Sequence, residues 1–271
     1  MVILFIVLGI LLFLFLLWIF SVKGRNNFTD FRDFKGCYFA HRGLHSEGVP
    51  ENSIAAFENA VKNGYGAEFD VHLLKDGELA VIHDHSLLRT AGVDIQIEDL
   101  TLDDLQNYNL EGTEEKIPNI KEVLKIFEGK KPIIIELKAK NNFGKLCSAV
   151  ADVLKDYNGE YCIESFDPRC VYWFKKNKPK IIRGQLSENF FKNDKNALPF
   201  HLKIVMSFLM TNFWAKPDFV AYRFSDRNHI ANKICLKLWK MQGFCWTMVN
   251  QADINIANKE KLISIFENIK P

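Results

Sequence analysis

Glu68 and Asp70 lie two apart in the run Ala-Glu-Phe-Asp-Val. Side chains alternate across a strand, so both carboxylates face one side. Two negative charges in a confined space repel and lose hydration unless they are protonated or share a cation. One hard divalent ion, Ca²⁺ or Mg²⁺, is the simplest resolution, because both take oxygen ligands. Glu136 follows Ile133, Ile134 and Ile135, whose β-branched side chains call for burial, so it is not easily solvated. It would complete a three-carboxylate metal site, and Lys138, two further on, would offer a positive charge to an anionic substrate oxygen.

Two imidazoles join this set. His41 closes the run Cys-Tyr-Phe-Ala-His and is followed by Arg42 and Gly43. His83 follows the turn Lys75-Asp76-Gly77, and a tight hairpin there would place it opposite Asp70. Histidines beside a metal can act as general acid and general base near neutral pH, as an in-line phosphoryl displacement requires. His72, two beyond Asp70, shares its side, where a supporting or structural role suits it. Each residue alone has an ordinary structural reading; their coincidence at strand ends points to a site.

The elements that must position these residues alternate. Short apolar runs rich in β-branched and aromatic residues are separated by stretches of helical period, the pattern of βα units. The strands are CYFAH, YGAEFDV, IIIEL, YCIESF, KIIRGQL, DFVAYRF, FCWTMV and LISIFE. Helical period marks SIAAFENAVKN, KEVLKIFEG, KLCSAVADVLKD and HIANKICLKLWK. ELAVIHD has no room for a crossover helix before it and should fold back on the second strand. The remaining eight strands match a (β/α)8 TIM-type barrel with a β-hairpin excursion after strand 2. An open doubly wound sheet is the competing architecture, but no Gly-rich phosphate loop follows any strand.

From Val2 to Phe20 every residue is apolar or Gly, enough for a helix to cross about 30 Å of hydrocarbon. The sequence therefore predicts a transmembrane anchor over 1–22, a juxtamembrane linker over 23–36 and a barrel domain over 37–271. A cleaved signal peptide fits less well, as the start is not basic and no small-residue cleavage site is evident. Lys23, Arg25, Arg32 and Lys35 follow the span and none precedes it, which favours a single-pass protein with a cytoplasmic body. A formal charge of +2, from 35 basic and 33 acidic residues, gives no field suited to nucleic acid. The six cysteines have neither zinc spacing nor a disulfide pattern. The run LPFHLKIVMSFLMTNFWAK is unusually apolar, either a helix packed on the barrel or one lying in a lipid interface.

These residues resemble the glycerophosphodiester phosphodiesterase family, whose pattern comprises an HRG strand end, a PEN helix start, an ExD strand with a KDG turn, and an HD pair. Here they read His41-Arg42-Gly43, Pro50-Glu51-Asn52, Glu68-Phe69-Asp70, Lys75-Asp76-Gly77 and His83-Asp84, continuing with Glu136-Leu137-Lys138, Ser165-Phe166-Asp167 and Trp246-Thr247. The likeness covers about residues 37 to 271. It implies a barrel enzyme that hydrolyses glycerophosphodiesters to sn-glycerol 3-phosphate and an alcohol with one divalent cation. By that resemblance Glu68, Asp70 and Glu136 hold the metal, His41 and His83 serve as acid and base, Arg42 and Lys138 grip the phosphate, and Trp246 contacts the glycerol part. Pro50 and Asn52 would start a helix, with Glu51 at the site edge. The family's last strand often ends in Thr-Asp, whereas this chain has Glu267 and Asn268 there. The small-molecule partner is thus a glycerophosphodiester, or alternatively a membrane lysophospholipid, with the bilayer itself contacted through the first helix. A catalytically inactive, membrane-tethered binding module is the reading from a different class.

Overall fold

The computed structural model describes residues 1–25, 30–192 and 198–271. Among the described residues nine strands form one sheet: β1 Phe39–His41, β2 Gly66–Leu73, β3 Leu79–Val81, β4 Ile133–Leu137, β5 Tyr161–Ser165, β6 Arg183–Ser187, β7 Phe219–Arg223, β8 Gln242–Met248 and β9 Ile263–Phe266. Every strand except β3 pairs in parallel with its neighbours, and β1 pairs with both β2 and β9, so eight strands close into a barrel. β3 runs antiparallel to β2 outside the closed ring. This is the expected (β/α)8 architecture with its hairpin excursion.

Strand alternation divides the side chains. Ala67, Phe69 and Val71 of β2, with Ile133, Ile135 and Leu137 of β4, face outward into one large core shared with the helices Ile54–Lys62, Ile120–Phe127 and Phe143–Val153. The inward set begins apolar: Phe39, Ile134, Cys162, Phe219, Phe244, Ile263 and Ile265 fill one end of the barrel. Phe219 stacks on Phe244 with ring centroids 4.0 Å apart. Gly184 makes that possible, because a Cβ there would lie 2.1 Å from the Phe219 ring. Further along the same strands the inward positions turn polar, at His41, Glu68, Asp70, Glu136 and Glu164. The apolar floor thus leaves the charged groups at the carboxyl ends of the strands, where barrel enzymes carry their chemistry.

Several details depart from the expectations. His83 does not lie opposite Asp70. Val71 pairs with Val81 and the Ile82 N–H donates to the Asp70 carbonyl, so Ile82 holds that place and His83 lies beyond the end of β3. The helix after the PEN motif begins at Ile54 and is capped by Ser53, whose hydroxyl accepts from Ala56 N–H, rather than by Asn52. The stretch HIANKICLKLWK changes character part-way, from α-helical Ile230–Lys233 to a wider π turn over Ile234–Leu238. The apolar run from Leu198 to Lys216 is two short helices, Phe200–Ser207 and Asn212–Ala215, broken at Leu209, which adopts φ 53°. Phe200 and Phe213 are exposed while Ser207, Asn212 and Ala215 are buried, so the run is neither one packed helix nor one amphipathic helix.

Residues 23–36 were expected to form a linker, with the folded domain beginning at Cys37. Asn26–Thr29 lie outside the described residues, but the segments on either side pack on the barrel. Val22 is fully buried among Leu209, Val220, Tyr222, Ala231 and Cys235. Arg25 pairs with Asp218 at 2.5 Å. Phe31 and Phe34 close the apolar floor against Phe39, Phe219 and Phe244. The physical reason is burial: both rings add to the strand-borne aromatic cluster of the floor and are 7% and 1% exposed. Val2–Ser21 is one exposed helix, long and apolar enough to cross a membrane, a property that a signal sequence also has. Its last turn meets the body through Trp18, whose indole N–H donates to the Phe208 carbonyl at 3.1 Å, and through Trp239, which donates to the Ile19 carbonyl at 2.9 Å. All six cysteines are free, five of them buried.

Candidate active site

The parallel register brings the acids to two successive inward rows: His41 pairs with Glu68, and one row on Asp70 pairs with Glu136 and Glu136 with Glu164. Glu68, Asp70 and Glu136 are 2%, 1% and 7% exposed, and one carboxylate oxygen from each lies within 4.8 Å of the others. Two full negative charges at that distance repel by at least about 3 kcal/mol even at an effective dielectric near 20. Lys138 answers part of this, with Nζ 3.0 Å from Asp70 Oδ1 and 2.8 Å from Glu136 Oε1. Arg42 Nε lies 3.6 Å from Asp70 Oδ2, and the Arg42 backbone N–H donates to Glu68 Oε2 at 3.3 Å. Arg42 has a left-handed backbone, φ 55°, and Gly43 follows at φ 80°, where a Cβ would sit 2.9 Å from Ala56. The HRG motif is therefore a strand-to-loop turn pressed against the next helix.

The charges are not balanced by these cations. Burial, together with Asp70, Glu136 and Glu164, pushes the Glu68 carboxyl well above its usual range. Burial likewise pushes up Glu164, whose Oε2 is buried without a hydrogen bond, and Glu136. Burial also works against the Asp70 carboxylate, but Lys138, His83, Arg42 and the Asn52 hydrogen bond outweigh it and hold Asp70 ionised. Lys138 stays charged despite its burial because Asp70 and Glu136 face it. A nest of buried oxygens short of positive charge fits a hard divalent cation.

Both histidines are oriented alike. His41 Nδ1 lies 2.9 Å from Glu267 Oε2, and His83 Nδ1 lies 2.6 Å from Asp84 Oδ1. With Nδ1–H donating to a carboxylate, each ring keeps the Nε2 lone pair free, and His41 Nε2 points back to Glu68 Oε2 at 3.9 Å. Burial lowers the His41 pKa, against the lift of the Glu267 hydrogen bond. His83 is near enough to Asp70 and Glu136 for its charge to bear on both. A base steered by a third group is the arrangement of activated proton-transfer sites.

Around this centre lie further residues, among them Glu51 at the site edge and Trp246 on its strand as expected, and others that the sequence did not single out. Asn52, in a left-handed conformation (φ 56°), donates Nδ2–H to Asp70 Oδ2 at 2.9 Å. Glu51 takes Arg42 Nη1 at 2.9 Å and Arg89 Nη2 at 2.6 Å, and Arg89 also reaches Asp84 at 2.5 Å. That chain of charges links the HRG turn to the His-Asp pair. Glu267, noted in the sequence only as a departure, follows directly after β9 and continues the inward alternation of Ile263 and Ile265, a signal that the sequence contained. Trp246, inward on β8, makes an edge contact with Phe166, ring centroids 5.6 Å apart, and donates to the Ala221 carbonyl at 3.3 Å. Arg223 lies 5.6 Å from its ring and pairs with Glu188 at 2.7 Å.

The model of the glycerophosphoryl diester phosphodiesterase family matches residues 41–268. The chain belongs to that family. A glycerophosphodiester phosphodiesterase of Caldanaerobacter subterraneus is 33% identical over 164 residues, 56% of this chain and 67% of that protein. Lysophospholipase D GDPD1 of Homo sapiens is 36% identical over 137 residues, 46% of this chain and 42% of that protein, so the match spans less than half the human protein's length. Among solved structures, a phosphodiesterase from Oleispira antarctica in complex with sn-glycerol-3-phosphate aligns at TM-score 0.69 with 22% identity, covering 86% of this chain and 93% of that one, a likeness of fold. The family match takes in both histidines, all three acids, Arg42, Lys138 and Trp246.

Proposed function

We propose that this protein hydrolyses glycerophosphodiesters to sn-glycerol 3-phosphate and an alcohol at the carboxyl end of its barrel. The observation that carries the reading is a pair of histidines, each with Nδ1 on a carboxylate, beside three buried acids and two cations. Glu68, Asp70 and Glu136 would hold one divalent cation, Ca²⁺ or Mg²⁺, which when bound supplies positive charge to the non-bridging phosphoryl oxygens. Lys138 and Arg42 bind the same anionic group from the protein side. One histidine takes the proton of the attacking oxygen, from water or a neighbouring glycerol hydroxyl, while the other gives a proton to the leaving alkoxide. The acid starts protonated on both nitrogens and the base ends so, and in each the Nδ1 carboxylate stabilises that imidazolium. Trp246, with Phe166 behind it, offers a flat apolar wall to the carbons of the glycerol.

Lysophospholipids are the second substrate class, favoured by one specific observation: the apolar helix Val2–Ser21 ends directly on the body at Trp18 and Trp239, which would hold the barrel against a bilayer. In that reading the helix is an anchor, and the cations Lys23, Arg25, Arg32 and Lys35 that follow it favour the cytoplasmic side for the barrel. The test is an assay on glycerophosphocholine, glycerophosphoethanolamine and lysophospholipids of graded chain length, with chelator and with Mg²⁺ or Ca²⁺ added back. Release of sn-glycerol 3-phosphate that needs the ion is the expected result. Product formation that chelation leaves untouched would defeat the three-acid reading, and preference for long chains would select the lysophospholipid arm.

A further inference from the structure

A second cluster of ligating groups lies at the far end of β2, beyond the three acids. His72 continues the inward side of β2, and its ring is fully buried. Its Nε2 lies 3.2 Å from the His83 carbonyl oxygen. A carbonyl can only accept, so this contact places the proton on Nε2 and leaves Nδ1 with its lone pair. That lone pair faces Glu98 Oε1 at 3.1 Å. Two acceptors pointed at each other repel unless a second proton on the ring or a metal cation stands between them. Glu98 Oε1 is also approached by His85 Nδ1, and the two imidazoles meet edge to face with centroids 4.7 Å apart. One donor atom from each of His72, His85 and Glu98 falls within a 4.8 Å circle.

We infer that His72 Nδ1, His85 Nδ1 and Glu98 form a second metal site, for a borderline divalent ion of the zinc class. Two imidazoles and one carboxylate suit such an ion better than Ca²⁺ or Mg²⁺, which prefer oxygen alone. Metal-binding histidines almost always give their other N–H to a carbonyl or carboxylate, and His72 does so at the His83 carbonyl. The backbone around the ligands is already tied down. His85 carbonyl accepts from Ile97 N–H at 2.8 Å, and Leu87 N–H donates to the Ile95 carbonyl at 2.9 Å, which zips the two ligand-bearing loops together. Ile97, next to Glu98, is fully buried. Glu98 Oε2 is buried without a hydrogen bond, and the nearest cation, the exposed Lys140 ammonium, is 3.7 Å away. The His85 side chain is 41% exposed, so one side of the site opens to water, as a three-ligand site with a free position requires. A bound ion would clamp β2 to the loop after β3, and so fix the segment that carries His83.

This site uses no ligand of the three-acid centre, so it can be tested separately. The full chain, stripped of metal and then saturated with Mg²⁺ or Ca²⁺, is titrated with Zn²⁺ while bound zinc is counted and its X-ray absorption spectrum recorded. One zinc per chain is expected, with imidazole nitrogens at about 2.0 Å. The variants H85A and E98Q, which alter different loops, should each weaken zinc binding by more than about a hundredfold, beyond what loss of an outer-shell partner brings. E136Q, which alters the three-acid centre, should leave it unchanged. Metal-free melting of each variant reports on its fold independently. Zinc bound without imidazole, zinc lost in E136Q, or zinc retained in both H85A and E98Q would overturn the assignment.

Discussion

Replacing Glu267 by Gln isolates what its charge does for His41. The 2.9 Å contact from His41 Nδ1 to Glu267 Oε2 is a charge-assisted hydrogen bond to a half-buried carboxylate. Such bonds contribute about 1.5–3 kcal/mol, a neutral one about 1 kcal/mol. Glutamine can keep the geometry by accepting through its amide oxygen, so E267Q loses only the difference, about 0.5–2 kcal/mol. At about 1.36 kcal/mol per tenfold, kcat should fall by about 2- to 30-fold with KM little changed. E267A loses the whole bond and frees the ring, so a fall of about 10- to 150-fold is expected. Glu267 Oε1 also lies 3.5 Å from His45 Nε2, which makes H45A the control, with kcat near wild type. The decisive comparison is the double variant H41A/E267A, assayed by release of sn-glycerol 3-phosphate. If Glu267 acts only through His41, the double variant is no slower than H41A alone. Losses that multiply, or an E267A enzyme at wild-type rate, would refute the positioning role.

H41A and H83A should each lower kcat by about a hundredfold or more, measured on glycerophosphocholine, and full activity in either removes that residue from the mechanism. E136Q should raise the Mg²⁺ or Ca²⁺ concentration giving half-maximal rate, because it removes one of three ligands; an unchanged ion requirement would place the cation elsewhere. F34A should cost about 3–5 kcal/mol in urea unfolding, since the ring is buried in the barrel floor, and a chain shortened to begin at Cys37 should melt well below one beginning at Val22. Hydrogen bonds from His83 and Arg89 hold the Asp84 carboxyl below its ordinary value of 3.8, and the His41 hydrogen bond with the His45 ring nearby holds Glu267 below 4.5. Each is depressed in the folded state, so its stabilisation is present above the ordinary value and drains away as pH falls below about 4. Melting temperature followed from about pH 6 to pH 3 should therefore drop less steeply in D84N/E267Q than in wild type.

The barrel was legible because its strands are short, β-branched and buried on both faces, and because a turn with no room for a helix singled out the hairpin. The acids were legible for the same reason: a carboxylate after three isoleucines has nowhere to go but inward. What sequence could not supply was contact between distant loops. Glu51 precedes the first barrel helix while Asp84 and Arg89 follow β3, and nothing in their spacing says that Arg89 bridges the two acids. Residues 23–36 look like a linker because they lack period. Packing two phenylalanines against the barrel floor needs no period, only the right volume at the right place, which is a property of the folded barrel.

The hairpin register carries the most consequence. Residues directly opposite in an antiparallel pair share a face, and by the observed register His83 would pair with Phe69, on the face turned away from Asp70. A continued β3 would therefore have pointed His83 away from the acids. It reaches them because the ladder ends at Val81 and the chain leaves the strand at Ile82, after which His83 is held by Asp84 on its ring and by His72 on its carbonyl. The position of one histidine of the site thus depends on a second histidine, two residues beyond Asp70 on the strand that also carries Glu68. If His72 is the anchor, H72F, which keeps a ring but loses the bond to the His83 carbonyl, should lower kcat while leaving substrate KM nearly unchanged. An H72F enzyme as fast as wild type would mean that Asp84 and Arg89 alone suffice to place His83.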